Sequence, residues 1–196
     1  AYTPLAYVFP SRISKYEDLY NVKSGTARSN IGQAGREQGL KKLMTVMLLK
    51  RLESSIEAFR LTLARTEEYV DATLAHLRNQ EGAVGDVAAE FRSMDLDIDD
   101  EDDANLEALK YGKSIEIDLD DLDTESWIRD LSHDHLVLNE LLAEMRKVTP
   151  EHDLKLNRLR SLIEQKAAHP INTGNSKALV FSAFADTADY LYRELA

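Results

Sequence analysis

The chain has 196 residues, a formal net charge of −11 and no cysteine, which excludes disulfide bonds and thiolate metal sites. Residues 95–125 hold fourteen of the 35 acidic side chains, and the rest of the chain carries 22 basic and 21 acidic residues. Overall charge therefore neither requires nor excludes a nucleic-acid partner. Neither a signal-peptide pattern nor an apolar run of membrane-spanning length occurs, which predicts a cytoplasmic protein without a membrane partner.

The first 25 residues combine two prolines with five aromatic side chains. They predict a short helix that ends near Tyr20 and turns Ile13, Tyr16 and Tyr20 inward. We expect these rings to pack on a neighbouring surface. The alternative is a platform on which nucleic-acid bases stack, but such platforms usually have basic residues between the rings. Residues 24–39 contain four glycines and predict a mobile linker.

A single long helix is predicted from Leu40 to Leu77. Apolar residues recur there every three or four positions, with one longer gap, and neither Gly nor Pro interrupts the run. A helix of roughly 57 Å cannot bury such a stripe alone, so a second helix, from about Thr124 to Lys147, is expected to fold back antiparallel along it. The predicted contacts join Leu52, Ile56, Phe59 and Leu63 to Trp127, Leu131, Leu138 and Met145.

The acidic segment, residues 95–125, lies between these two helices. A calcium-binding loop is disfavoured because the sixth position of that motif requires Gly and is an Asp here. We expect a solvated loop in which residues 95–123 are separable from the core. Residues 82–94 predict a short amphipathic helix, and residues 114–119 permit a short strand. His133 and His135 are predicted to face solvent rather than to bind a metal, because they point to different sides of the second helix.

The C-terminal part of the chain has a different pattern. Thr149 and Pro150 predict an N-cap and the first position of a helix that continues to about Ala168. The apolar run at 177–182 has the length of a strand that is covered on both faces, and residues 185–195 predict a further helix. Helix, strand and helix form the beginning of an α/β domain.

Specific motifs add to this pattern. The chain contains Asp153-Leu154-Lys155-Leu156 and, about twenty residues later, Lys177-Ala178-Leu179-Val180-Phe181-Ser182-Ala183-Phe184, followed by Thr187 and Tyr190-Leu191. This combination resembles the beginning of the second RecA-like lobe of superfamily-2 helicases of the Swi/Snf type, although the Gln that is common after the Ser is an Ala here. The run from Leu48 to Phe59, which includes Leu-Leu-Lys-Arg-Leu-Glu-Ser-Ser, resembles the helix between the two lobes in a bacterial subgroup.

The resemblance implies three consecutive parts. Residues 1–39 would be the exit from the first lobe and a linker, residues 40–149 a helical insertion with the acidic segment, and residues 150–196 the start of the second lobe. The expected fold class is mainly α: a long antiparallel helical module, followed by the first helix, strand and helix of an incomplete α/β RecA-like lobe. The chain begins with Ala rather than Met, and we expect a fragment of a larger ATP-dependent DNA translocase.

The same resemblance implies partners and cofactors. The partners would be the remaining lobes of the same chain and double-stranded DNA, and the cofactors of the full-length protein would be ATP and magnesium. The phosphate loop, the metal motif and the arginine finger that phosphoryl transfer needs do not occur in this sequence. No catalytic, cofactor-binding or metal-ligating residue is therefore assigned, and the chain is expected to be inactive alone.

Candidate contacts with nucleic acid or with a motor lobe are Lys50, Arg51, Arg60, Ser182 and Phe184. Three interpretations stay open for Lys50 and Arg51: pairing with Glu53, Glu57 or an acid of another helix, contact with DNA phosphates, or a salt bridge that docks a lobe. The alternative function is a stand-alone helical module for protein–protein interaction whose acidic segment binds a basic partner.

Overall fold

The computed structural model describes residues 4–20, 33–79, 83–84 and 117–195, and this part of the chain is mainly helical, as predicted. Its α-helices are α1 (Ile13–Tyr20), α2 (Gln33–Ser54), α3 (Ile56–Asn79), α4 (Thr124–Arg146), α5 (Leu154–Ala168) and α6 (Ala185–Leu195). Short 3-10 turns occupy Pro4–Tyr7, Leu119–Asp121 and Pro150–His152. Two-residue strands β1 (Ala83–Val84) and β2 (Ile117–Asp118) pair antiparallel, so β1 replaces the start of the helix predicted over 82–94. The remainder of that predicted helix lies outside the described residues.

The prediction of a single long helix is wrong in one respect, because Ser55 separates α2 from α3. The Ser55 side chain accepts a hydrogen bond from the Ala58 amide, with 3.0 Å between N and Oγ. Serine thereby acts as the N-cap of α3 and satisfies an amide that the first turn of a helix leaves without a partner. Helix α2 also begins earlier than predicted, since residues 33–39 of the proposed linker are helical.

The chain divides into two compact units that do not follow its order. The first unit comprises Ala1–Met47 and Thr66–Leu138, and the second comprises Leu48–Arg65 and Asn139–Ala196. Helices α2, α3 and α4 each contribute to both units. The boundaries predicted at 39 and 149 stay a prediction.

The core of the first unit joins the C-terminal half of α3 to the start of α4. Val70, Leu74 and Leu77 of α3 share one buried cluster with Trp127 and Leu131 of α4. The antiparallel pairing was predicted, but its register was wrong, since Leu52 is 39% exposed rather than buried in this cluster. Periodicity gives the buried face of a helix but leaves its alignment with a neighbour undetermined.

The N-terminal segment completes this core, as the packing interpretation predicted. Tyr16 is buried, and the Tyr7 ring stacks on Trp127 with 5.6 Å between the ring centroids. Backbone bonds join Phe9 N to the Asp121 carbonyl (2.9 Å) and Asp123 N to the Tyr7 carbonyl (2.7 Å). Tyr7 and Tyr16 are therefore part of a folded core that includes the end of the acidic segment, whereas Phe9 is 44% exposed.

That end of the acidic segment is not a separable, solvated loop. Ile117 and Leu122 are buried, and so is Asp121. Oδ2 of Asp121 accepts hydrogen bonds from Lys15 (2.5 Å) and from the Tyr16 hydroxyl (2.7 Å), while Oδ1 lies 3.2 Å from the Arg12 guanidinium. Cationic partners and hydrogen bonds offset the cost of burying the carboxylate. Residues 95–116 lie outside the described residues.

Thr149 holds the N-cap position of the 3-10 turn Pro150–His152 with Pro150 first, as predicted, but its side chain makes no capping hydrogen bond. Aspartate side chains cap the α-helices α4 and α5. Helix α4 begins at Thr124, and the Asp123 side chain accepts a bond from the Ser126 amide, with a distance of 3.1 Å. The 3-10 turn after Thr149 ends at Asp153, whose Oδ1 accepts from the amides of Lys155 and Leu156, each at 3.0 Å. Both residue types are good N-caps, so backbone geometry decides between adjacent candidates.

The predicted strand at 177–182 is absent from the described structure, which there has irregular chain between α5 and α6. Leu179 is 85% and Phe181 90% exposed. A strand requires a neighbour for its backbone hydrogen bonds, and the strand pairings of the described residues all lie in the first unit. The flanking helices α5 and α6 agree with the prediction, whereas the RecA-like lobe stays a proposal.

Candidate functional site

A polar cluster of the second unit surrounds Arg51, near the end of α2. Its side chain is only 3% exposed, and Nη1 lies 2.7 Å from Oδ2 of Asp186 in α6. The guanidinium also lies over the Phe184 ring, 5.0 Å from its centroid, as in a cation–π contact. Arg65 approaches the other oxygen of Asp186 at 3.6 Å. One carboxylate at the start of α6 thus faces two guanidinium groups.

Hydroxyl groups extend this cluster at the break between α2 and α3. The Thr187 hydroxyl lies 2.8 Å from Oγ of Ser54 and 2.9 Å from Oγ of Ser55. Thr187 is 4% exposed. Buried hydroxyls are costly unless they are hydrogen-bonded, so these three side chains stabilise one another and hold the start of α6 against the break.

Helix α5 reaches the same place through Lys155. Its ammonium group donates to the carbonyl oxygens of Glu53 and Ser54, and the second of these bonds measures 3.3 Å. These carbonyls belong to the last turn of α2, where intrahelical partners run out. A cation near a helix C-terminus also interacts favourably with the helix dipole. Lys155 therefore caps α2 from another helix.

Asp153 ties α5 to α6. While Oδ1 caps α5, Oδ2 accepts a hydrogen bond from the Tyr190 hydroxyl at 3.1 Å. Burial raises the pKa of Tyr190 well above its ordinary value, and the negative charge of Asp153 raises it further. The phenol is therefore protonated and remains a hydrogen-bond donor at every physiological pH. This fixes Tyr190 as a structural link rather than a titrating group.

Glu57, in the first turn of α3, binds two further arginines. Arg60 on the same helix donates to Oε2, and Nη2 of Arg193 in α6 lies 3.3 Å from Oε1. Hydrogen bonds to Glu194 and, as the smaller contribution, to Glu57 raise the pKa of the Arg193 guanidinium. Arg193 also lies 5.6 Å from the centroid of the Tyr190 ring. Both ends of α6 thus contact the helices that meet at Ser55.

The predicted contact residues have different environments in this geometry. Arg51 and Phe184 meet in the buried cluster, whereas Lys50 is exposed. Arg60 pairs with Glu57 on its own helix. Ser182 forms a local turn in which its Oγ accepts from the amide of Phe184 and donates to the carbonyl of the same residue, both at 3.2 Å. A nucleic-acid contact at any of these positions stays a prediction.

Sequence reasoning missed the residues that complete the cluster, namely Ser54, Ser55 and Asp186. The serines stood inside an uninterrupted apolar pattern, and Asp186 is an ordinary acid in the first turn of a helix. The available signal was the Ser-Ser pair in front of Glu57, because serine is a preferred N-cap and an acid is favoured in the first turn. No local signal identifies Asp186 as the partner of an arginine 135 positions away.

The prediction for the histidines needs a correction at His135. Its Nε2 lies 2.6 Å from Oε1 of Glu67 and 4.0 Å from Oδ1 of Asp71 in the first unit. The ring is half-buried at the contact between α3 and α4 rather than freely exposed. His133 is exposed, as predicted.

Neither a metal site nor a membrane span occurs in the part of the chain that the structure describes. These residues contain no group of three His, Cys, Asp or Glu side chains that could hold a metal ion. Every helix among them is too short or too polar to cross a bilayer. Comparison with models of protein families, with curated proteins and with solved structures finds no match.

Proposed function

We propose that this chain connects the two motor lobes of a Swi/Snf-type, ATP-dependent DNA translocase and contains the beginning of the second lobe. In this proposal, residues 40–149 form a helical insertion and residues 150–196 open the RecA-like lobe. The chain acts as a mechanical connection. ATP, magnesium and double-stranded DNA are bound by the complete motor.

The observation that supports the proposal is the meeting of the two family-like stretches. The run from Leu48 to Phe59 and the motifs between Asp153 and Leu191 are about a hundred positions apart in the sequence. They nevertheless lie in one compact unit and contact each other through Arg51 and Asp186 and through Ser55 and Thr187. Two motifs of one family that pack together support the proposed family more strongly than either motif does alone.

The geometry favours different roles for neighbouring basic residues. Arg51 is buried against Phe184 and pairs with Asp186, an acid of another helix, which agrees with the pairing interpretation and argues against a phosphate contact. In the proposed motor the same pair would dock the start of the second lobe. Lys50 is exposed on the adjacent position of α2 and remains the candidate for DNA. Phosphate contacts add a salt-sensitive contribution to affinity, so a role of Lys50 in DNA binding would weaken with added salt.

The residues of this chain do not fit ATP and magnesium by themselves. Phosphoryl transfer needs a phosphate cradle and a magnesium ligand, and the sequence has no Gly-x-x-x-x-Gly-Lys-Ser/Thr loop. The described residues also lack a group of three His, Cys, Asp or Glu side chains that could hold a metal ion. We therefore assign no step of ATP hydrolysis to this chain.

The decisive experiment uses the protein encoded by the complete reading frame. A Lys-Thr phosphate loop upstream and an arginine-finger motif downstream are expected, and the purified protein should hydrolyse ATP faster when duplex DNA is added. Replacement of the phosphate-loop lysine provides the control without hydrolysis. A reading frame without those motifs, or ATPase activity that does not respond to duplex DNA, would reject the proposal.

A second readout separates the two basic positions within that motor. Lys50→Ala should weaken duplex DNA binding in a salt-dependent way, whereas Arg51→Met should leave DNA affinity unchanged and reduce the stimulation of ATPase by bound DNA. Equal loss of DNA affinity in both variants would contradict the separate roles. If the motor motifs are missing, the alternative of a helical interaction module becomes the hypothesis to pursue, with its acidic segment as the binding surface.

A further inference from the structure

The break between α2 and α3 occurs where the local sequence also permits a continuous helix. No Gly or Pro occurs between Leu40 and Leu77, and the apolar pattern passes through Ser55 without a change of period. Serine inside a helix is only mildly unfavourable. The Ser-Ser pair in front of Glu57 permits a new helix start but does not require one, so contacts from the rest of the chain bear on whether the break forms.

The hydrogen bonds around Ser55 show which contacts replace those of a continuous helix. In a continuous α-helix the Ser54 carbonyl would accept from the amide of Ala58, four positions later. In the structure that amide donates to Oγ of Ser55 instead, and the Ser54 carbonyl accepts from the ammonium group of Lys155. The Glu53 carbonyl, which would serve Glu57 in a continuous helix, also accepts from Lys155.

Helix α6 stabilises the broken form from the other side. The Thr187 hydroxyl contacts Oγ of Ser55 and thereby fixes the side chain that caps α3. Asp186 holds Arg51, one turn before the break. The carbonyls of Glu53 and Ser54 and the amide of Ala58 thus have substitute partners, and these come from Ser55 itself and from Lys155.

We propose that the break at Ser55 is a docking-dependent helix joint. While α5 and α6 are docked, Lys155, Asp186 and Thr187 hold the chain in the broken form. When they separate, the carbonyls of Glu53 and Ser54 recover their helical partners and α2 continues into α3. The inference concerns this chain alone and does not depend on whether the chain belongs to a motor.

A docking-dependent joint has a reciprocal consequence. If docking favours the break, then the break must favour docking by the same free energy, because the two equilibria are linked. A change in α5 and α6 should therefore alter the backbone at Ser55, and a change at Ser55 should alter the stability of α6. A break that is merely a fixed local feature would show neither effect.

The first test removes the docking side chains in the double variant Lys155→Met/Asp186→Asn. The 13Cα chemical shifts of Ser55 and Ile56 should move to helical values, and the amide of Glu57 should gain protection from hydrogen exchange. The matched control, Lys166→Met/Asp189→Asn, removes the same side-chain types from the same two helices away from the break. Unchanged shifts at Ser55 and Ile56 in the docking variant would overturn the proposal.

The second test starts at the joint. Ser55→Ala removes the cap and the contact with Thr187 and favours a continuous helix. Amide exchange in α6 should become about tenfold faster, the change in equilibrium that corresponds to the loss of roughly one net hydrogen bond. Thr45→Ala, which removes a hydroxyl elsewhere on α2, should leave α6 unchanged. If exchange in α6 is the same in Ser55→Ala as in the parent chain, the two sites are not coupled and the proposal fails.

Discussion

Arg51 and Asp186 form a salt bridge of 2.7 Å although 135 positions separate them in the sequence. The arginine side chain is buried under Phe184, while the carboxylate of Asp186 still reaches water in part. A buried ion is costly to leave without its counter-charge. The pair therefore favours the position of α6 beside the end of α2.

Removal of this arginine should destabilise the chain more than removal of a less buried one. Arg51→Met is expected to lower the free energy of unfolding by about 2–4 kcal/mol, whereas Arg129→Met, an arginine on the surface of α4, should change it by less than about 0.5 kcal/mol. Urea denaturation of both variants measures the difference. Combining Arg51→Met with Asp186→Asn should cost less than the sum of the single changes, and strictly additive losses would show that the two side chains are not coupled.

Two leucines of the predicted stripe distinguish the observed register from the expected one. Leu74 is 2% exposed in the core of the first unit, and Leu52 is 39% exposed. Leu74→Ala should therefore lower the free energy of unfolding by about 2–5 kcal/mol, and Leu52→Ala by less than about 1 kcal/mol. Thermal and chemical denaturation provide the comparison. Equal losses would mean that Leu52 is buried in solution.

Asp121 should make the stability of the chain sensitive to acid. Hydrogen bonds from Lys15 and Tyr16 lower the pKa of its carboxyl below the ordinary value of 3.8. A carboxyl whose folded-state pKa is lowered stabilises the fold above its unfolded pKa, and this contribution is lost as the pH falls through the folded value. The difference in unfolding free energy between the parent chain and Asp121→Asn should therefore have its largest value at about pH 6 and become smaller below about pH 4.

Urea denaturation at about pH 6 and at about pH 3 measures the difference in unfolding free energy between the parent chain and Asp121→Asn. Asp120→Asn provides the matched control, since Asp120 carries the same charge one position earlier and is exposed. The control should not reproduce the pH-dependent convergence. A gap between the parent chain and Asp121→Asn that is equally large at both pH values would contradict the proposed role of the ionised carboxylate.

The acidic segment should divide into a replaceable part and an essential part. Replacement of residues 95–104 by a Gly/Ser linker of equal length is expected to leave the melting temperature nearly unchanged, because crowded carboxylates favour hydration over burial. Replacement of residues 117–122 should prevent cooperative folding, since this stretch supplies Ile117, Asp121 and Leu122 to the core. The two linkers can be compared by circular dichroism and thermal melting. Loss of folding with the first linker would contradict the division.

The chain alone should not bind ATP. Its sequence lacks the phosphate loop and the metal motif on which nucleotide binding in the proposed class of motor depends. Isothermal titration calorimetry with ATP and magnesium is expected to give only heats of dilution, and the chain should release no phosphate from ATP. Saturable binding would show that the chain has a nucleotide site of a different kind from the phosphate loop.

The sequence by itself determined the helical character of the chain and most helix positions. Periodic apolar residues predicted the stripe that runs through α2 and α3 and the antiparallel return of α4, because the buried face of a helix is encoded at intervals of three and four residues. The inward positions of Tyr16 and Trp127 were also predicted correctly. The resemblance of two stretches to helicase motifs rests on local order alone and stays a prediction.

Contacts between distant residues were decided only by the tertiary structure. The sequence did not predict that Asp121 is buried among Arg12, Lys15 and Tyr16, because an acid in an acidic run is ordinarily hydrated. It did not predict the break at Ser55 or the partner of Arg51, and it predicted a strand at 177–182 that has no neighbour among the described residues. These cases share one physical reason. The pattern of apolar residues along the chain shows which face of a helix or strand is buried. Whether a polar group finds a hydrogen-bond partner depends instead on which groups the fold brings within hydrogen-bonding distance.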